Sequence, residues 1–303
     1  MNRSTITDEG RISRLAPPTG RVSMVLDTDT YNEVDDQFAL AYALLSPDRI
    51  SLEAVYAAPF LNSRAKSPAD GMERSYEEIL RVMEKLGVSS PPPVFRGSTG
   101  YLVDETTPVD SEAARDLVAR AHAAEGVLYV VAIGAITNVA SAILIDPSII
   151  EKIVVVWLGG HSFAWKDTRE FNLVQDIPAA RVVFGSGAPM VQIPCMGVTT
   201  HLATTIPELE HYLKGKSSIG DYLVEIVAGY TDESFGWSKV IWDVAAIAWL
   251  MDPAWVPTSL VHSPIVTAEG TWSFDDSRHL IRSATYVHRD PIFTDLFRKL
   301  ARA

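Results

Sequence analysis

Between Asp27 and Asp36 the chain places four aspartates and a glutamate (Asp27, Asp29, Glu33, Asp35, Asp36), directly after the apolar run Val22, Met24, Val25, Leu26. Carboxylates this crowded repel one another and raise each other's pKa unless a hard cation takes up their oxygens. The residue types therefore allow a cation site, or else a solvated acidic turn in which Asp35 or Asp36 caps the next helix. Asp243 poses the same question far along the chain. It lies in Ile241-Trp242-Asp243-Val244-Ala245-Ala246, with no basic residue nearer than Lys239. A carboxylate in that setting needs a partner, and a helix N-cap is the plainer alternative.

The elements that must position these groups alternate. Strands are predicted at Val22 to Leu26, Leu52 to Ala58, Val127 to Ile133, Ile153 to Leu158 and Met190 to Pro194. Helical patterns follow at Phe38 to Leu45, within Ser67 to Gly87, and at Ser111 to Glu125, Asn138 to Ile145 and Ile177 to Phe184. Buried strands alternating with helices predict an α/β fold, a mostly parallel open sheet with helices on both faces. Residues 205 to 250 read as mainly helical, Ser259 to His288 as strands crossed by a polar turn, and Pro291 to Leu300 as a last amphipathic helix. Ligands of such sheets sit outside the carboxyl ends of the strands. Asp27 to Asp36, Asn62, Thr137-Asn138 and His161 all fall at such ends. No repeat or domain boundary is visible, so residues 21–303 read as one domain, preceded by a loose N-terminal tail over residues 1–20.

Bulk composition narrows the function classes. Of the 303 residues 47% are hydrophobic and 21% charged, which is ordinary globular material. The formal net charge of -12 argues against nucleic acid or an anionic membrane as partner, since both are polyanions. Val127 to Ile145 is apolar but carries Gly134, Thr137 and Asn138 at its middle, and divides into strand, turn and helix rather than a membrane span. One cysteine, Cys195, excludes an internal disulfide. Its neighbours Val191, Ile193, Met196 and Val198 favour a structural thiol over a nucleophile. The first twenty residues are polar and lack a secretory apolar segment, which fits a cytoplasmic protein.

Four motifs in order resemble the inosine-uridine-preferring nucleoside hydrolase family: Asp27, Asp29, Asp35 and Asp36 before an apolar helix; Gly134-Ala135-Ile136-Thr137-Asn138-Val139-Ala140; Gly159-Gly160 followed by Glu170-Phe171-Asn172; and Trp242-Asp243. The resemblance implies cleavage of the N-glycosidic bond of ribonucleosides with bound Ca²⁺, in a homodimer or homotetramer. Asp29, Asp36, the Thr137 backbone carbonyl and Asp243 would hold the ion, and such an all-oxygen set suits calcium. Asp29 would also be the general base toward water. Asp35, Asn172 and Glu170 would hydrogen-bond the ribose hydroxyls, and Asp27 would support the ligands from behind.

Departures from the family pattern bear on the leaving group. Trp242 stands where many members carry a histidine acid. The purine-preferring branch also has Trp there, stacked on the base, so purine nucleosides are favoured. The acidic loop is two residues longer and lacks a Pro-Gly turn. His161-Ser162-Phe163-Ala164-Trp165-Lys166-Asp167-Thr168-Arg169 replaces a segment that usually carries a ribose-binding asparagine. His161 is a candidate substitute acid, Trp165 a candidate wall of the pocket, and Asn62 a candidate substrate contact. Two other classes compete. Asp27-Thr28-Asp29-Thr30 also fits the Asp-x-Asp-x-Thr signature of haloacid-dehalogenase-like phosphatases, with Asp275-Asp276 as the later acidic pair. A nucleoside-binding protein without turnover is the non-enzymatic reading.

Overall fold

The computed structural model describes residues 6–303. Its first helix, α1 (Asp8–Arg14), is capped by the Thr7 hydroxyl and followed by β1 (Val22–Thr28), α2 (Asp35–Leu44), β2 (Ile50–Ala57), α3 (Pro68–Lys85) and β3 (Val94–Arg96). Then come α4 (Glu112–Ala123), β4 (Leu128–Ala132), α5 (Thr137–Ile145), β5 (Ile153–Leu158), the short α6 (Phe171–Gln175), α7 (Ile177–Ser186) and β6 (Met190–Ile193). The C-terminal third holds β7 (Ala203–Thr204), α8 (Ile206–Leu213), α9 (Ser218–Ala228), β8 (Lys239–Val240), α10 (Val244–Met251), β9 (Thr258–His262), β10 (Ile265–Val266), β11 (Trp272–Ser273), β12 (Leu280–Ala284) and α11 (Arg289–Leu300).

Eight strands form one sheet in the order β3-β2-β1-β4-β5-β6-β12-β9, parallel throughout except for the β12–β9 pair. Short antiparallel ribbons pair β7 with β8 and β10 with β11. Side chains alternate along a strand, so β1 serves two cores at once. Met24 and Leu26 face the layer holding Phe38, Ile79, Leu223 and Trp249, while Val25 faces Leu117, Val139 and Val183. The chain leaves β1 toward β2 and β3, then returns to build outward from β4. The carboxyl ends of β1 and β4 therefore flank a switch point, where an open α/β sheet leaves a crevice.

One expectation changes. The tail expected over residues 1–20 includes, in its described part, the docked helix α1; residues 1–5 lie outside the described residues. Arg11 is buried and donates from Nε to the Gly187 carbonyl (2.9 Å), and Leu15 is fully buried in the core. Residues 205 to 250 are mainly helical as expected, with turns and β8 in 229–243 between α9 and α10. Among the described residues no helix is long and apolar enough to cross a membrane.

Candidate active site

The acidic loop grows out of β1. Asp27 is its penultimate residue, Asp29 follows its end, and the Asn32 N–H donates to the Asp29 carbonyl (2.7 Å), folding the loop back. Asp35 and Asp36 then open α2, at the helix end where the backbone dipole favours negative charge. Val34 is the N-cap and makes no side-chain cap bond, so neither aspartate is spent on capping. Asp243 does occupy the N-cap position of α10, yet its carboxylate makes no cap hydrogen bond either. It turns toward α2 instead: one carboxylate oxygen each from Asp35, Asp36 and Asp243 lie within 4.8 Å of one another, all buried.

Asp29, expected among the cation ligands, is not one of this trio but lies near enough to feel the charges of Asp36 and Asp35. It is fully buried, both carboxylate oxygens lack a donor partner, and its neighbour Asp36 is itself an acceptor when ionised. Burial raises Asp29 well above the usual carboxylate range, and the charges of Asp36, Asp35 and Glu170 raise it further. Burial likewise pushes Asp35 and Asp243 well up and Asp36 to about 7, although hydrogen bonds such as that from the Thr28 hydroxyl pull Asp36 back. Thr28 Oγ1 donates to Asp36 Oδ1 (2.5 Å) and meets Thr30 Oγ1 at 2.9 Å. The Asp29 oxygens, without a donor among the described residues and close to a cluster of carboxylates, fit a hard divalent cation, which would satisfy Asp29 and cancel the repulsion. Gly134 leaves room for Asp29: a Cβ there would stand 3.0 Å from the carboxylate carbon.

Around this group the other expected residues take distinct places. Asp27 accepts from Asn138 Nδ2 (2.7 Å), and Asn138 Oδ1 in turn accepts from the Ser98 N–H and hydroxyl. Thr137, fully buried at the start of α5, donates its hydroxyl to Asp176 (2.7 Å). Glu170 caps α6: its carboxylate accepts from the N–H groups of Asn172 (2.8 Å), Gly160 (2.9 Å) and Leu173 (3.0 Å), and burial lifts it to about 7. Asn172 Nδ2 donates to the carbonyls of Ile133 (3.1 Å) and Leu158 (3.0 Å), tying together the ends of β4 and β5.

A cavity of about 400 Å³, within the range of small-molecule sites, opens onto the cluster. Asp35, Asp36, Asn62, His161, Glu170, Asn172, Trp242 and Asp243 line it; Asp29 and Thr137 do not reach its surface. His161 Nδ1 accepts the Met196 N–H (3.3 Å), which leaves the proton of a neutral ring on Nε2. Burial holds its pKa below the usual value, so near pH 7 it offers a hydrogen bond rather than an acidic proton. Trp165, expected as a pocket wall, is 43% exposed and not among the cavity residues; its ring stands edge-on to His161 with centroids 6.3 Å apart, on a turn closed by its N–H donating to the Ser162 carbonyl (2.9 Å). Cys195 lines the cavity with a buried thiol pushed well up by burial, in keeping with a structural role. Asp275 and Asp276 are exposed in a turn and are not among the cavity residues, so the phosphatase signature lacks its acidic pair.

Wall residues missed by sequence reasoning include Asn32, Arg169 and Met196. Asn32 Oδ1 accepts from Asn62 Nδ2 (2.7 Å), and Arg169 directly precedes the Glu-Phe-Asn motif, the one signal that could have marked it.

Fold and site together define an open α/β protein with an acidic, oxygen-lined centre at its switch point. The chain belongs to the inosine-uridine preferring nucleoside hydrolase family, whose profile matches residues 24–290. Ribonucleoside N-glycosidic hydrolysis is the activity that this membership supports. The chain is 24% identical over 271 residues to a probable uridine nucleosidase 2 of Arabidopsis thaliana, covering 82% of this chain and 81% of that one. It is 26% identical over 260 residues to the pyrimidine-specific ribonucleoside hydrolase RihA of Klebsiella pneumoniae, covering 76% and 79%. Among solved structures, a purine-preferring ribonucleoside hydrolase from Gardnerella vaginalis superposes with a TM-score of 0.75 at 22% identity, covering 92% and 98%. The plant nucleoside hydrolase PpNRh1 gives 0.76 at 20% identity, covering 93% and 99%.

Proposed function

We propose that this protein is a Ca²⁺-dependent ribonucleoside hydrolase that favours purine nucleosides. The observation that carries this reading is the Asp29 carboxylate, buried with no donor among the described residues, next to the Asp35, Asp36 and Asp243 carboxylates that line a nucleoside-sized cavity. Asp29, Asp36, Asp243 and the Thr137 carbonyl would hold the ion, whose chemistry is to acidify an adjacent water and to order the ribose diol.

The chain's own residues do the rest. Asp29, ionised beside the ion, accepts the proton of the attacking water. Asp35, Asn172 and Glu170 receive the ribose hydroxyls, contacts that strengthen as the sugar becomes oxocarbenium-like. Glu170 and Asn172 are already fixed by their backbone bonds, so little ordering remains to be done when the sugar binds. Trp242 stacks on the departing base and His161 contributes a neutral donor, while the leaving base takes its proton from solvent. The relatives' names divide between uridine, pyrimidine and purine substrates; the purine choice rests on the Trp242 face. A cytoplasmic homodimer or homotetramer completes the reading.

Base release from inosine, guanosine, uridine and cytidine, with and without chelator, tests it. Chelator-sensitive release, fastest from the purines and lost in Asp29→Asn, is expected. Saturable nucleoside binding without release would favour the non-catalytic protein, and hydrolysis of phosphate esters alone would restore the phosphatase.

A further inference from the structure

The cavity wall carries one arginine or lysine among its described residues, Arg169, and nothing in the reaction described so far uses it. Its aliphatic stem lies against the turn between β10 and β11, where a Cβ on Gly270 would come within 2.9 Å of Arg169 Cγ. The same turn fixes the backbone beside it, the Thr168 N–H donating to the Gly270 carbonyl (2.8 Å), and Trp272 Nε1 donates to the His161 carbonyl (3.1 Å). Arg169's own N–H goes to Asp167 Oδ1 (3.1 Å), but its guanidinium has no ion pair or hydrogen bond among the described residues. Arg74, Arg81, Arg96, Arg115 and Arg289 all pair with carboxylates. Two acids of the cavity wall are otherwise engaged: Glu170 by three backbone N–H groups, and Glu33 by Lys239 at 2.6 Å. A guanidinium held by its stem with a free head, on the rim of a substrate cavity, is built to receive an anion.

A nucleoside has three ends. If the acidic cluster takes the ribose diol and Trp242 the base, C5′ is the end left for the wall formed by His161 and Arg169. We propose that the preferred substrate carries a phosphate on C5′, a nucleoside 5′-monophosphate, with Arg169 as its specificity residue. This rests on the hydrolase reading above and extends it. The bond changes stay the same: water adds its hydroxyl to C1′, its other proton goes to Asp29 and on to solvent, the N-glycosidic bond breaks, and the base nitrogen takes a proton from solvent. The products are free base and ribose 5-phosphate, with the phosphate ester intact. The segment that brings in Arg169, His161 to Arg169, is one of those that depart from the family pattern, standing where an asparagine is usual.

The test compares kcat/KM for inosine and uridine with that for their 5′-monophosphates, in wild type, Arg169→Gln and Arg169→Lys. Binding of ribose and of ribose 5-phosphate is measured by calorimetry alongside. The proposal expects wild type to prefer the monophosphates. It expects Arg169→Gln to lower the monophosphate-to-nucleoside ratio about ten- to a hundredfold, with Arg169→Lys between, and to erase the advantage of ribose 5-phosphate over ribose. Cleavage of nucleosides with the monophosphates inert, or a ratio indifferent to Arg169, overturns the proposal and leaves the hydrolase standing. Release from neither substrate class overturns both.

Discussion

Asp36 and Gln37 are neighbours on α2, yet they serve two buried acidic regions that the protein treats in opposite ways. On the Gln37 side, Glu78 of α3 is 1% exposed and fully provided for: Gln37 Nε2 donates at 3.3 Å, Arg81 Nη1 at 2.5 Å, and the Tyr222 hydroxyl of α9 closes the group. On the Asp36 side, neither Asp29 side-chain oxygen has a hydrogen-bond partner among the described residues, and Asp35 and Asp243 face other carboxylates. Both groups are equally dry. The difference lies in who supplies the positive charge, the chain itself at Glu78 and, on the proposed reading, a bound cation at Asp29. Burial of an acid is therefore no mark of function; burial without a donor is.

Mutations that break the contrast should move activity and stability apart. Asp29→Asn should cut base release by about a thousandfold, on the scale of a lost general base and cation ligand, and should leave the chelated protein as stable as wild type or more so. Glu78→Ala should do the reverse, costing about 1–3 kcal/mol in urea unfolding by leaving the Gln37 and Tyr222 donors without their acceptor, while cation binding stays near wild type. Leu15→Ala should cost about 2–5 kcal/mol by the same assay, since α1 is part of the core. A smaller effect is expected at Trp242: Ala there should shift the purine-to-pyrimidine ratio of kcat/KM by an amount on the order of an aromatic contact, about 0.5–1.5 kcal/mol.

The acidic centre was largely legible because its parts are local. An apolar strand running into crowded aspartates, and an aspartate stranded in Ile241 to Ala246, announce themselves within a few residues. The alternation of strands and helices also carried the parallel sheet, down to Ile153–Leu158. What stayed hidden depends on distant partners. Helix α1 looks polar, and only the Gly187 carbonyl, far along the chain, reveals why Arg11 is buried. Trp165 has the composition of a pocket wall and points elsewhere, while Arg169 looks like an ordinary surface charge until Gly270 is seen under its stem. The place of Asp35 beside Asp36 and Asp243, rather than apart from them, likewise follows from how α2 and α10 meet.

Proton release on cation binding tests the central claim most directly. Asp36 and Glu170 are raised to about 7, and Asp29, Asp35 and Asp243 well above the usual range. Because these folded-state values lie above the unfolded ones, the cation-free protein binds extra protons near pH 5. Its stability should fall as pH rises toward 7 and beyond, the reverse of a salt-bridged carboxylate. A divalent cation must expel those protons to reach the oxygens. Calorimetric titration of the chelated protein with Ca²⁺ in buffers of different ionisation heat should show about one or more protons released per ion at pH 6, fewer at pH 8.5, and no binding in Asp29→Asn. Calcium that binds without releasing protons at pH 6, or binds Asp29→Asn as tightly as wild type, would contradict a cation centre built on this cluster.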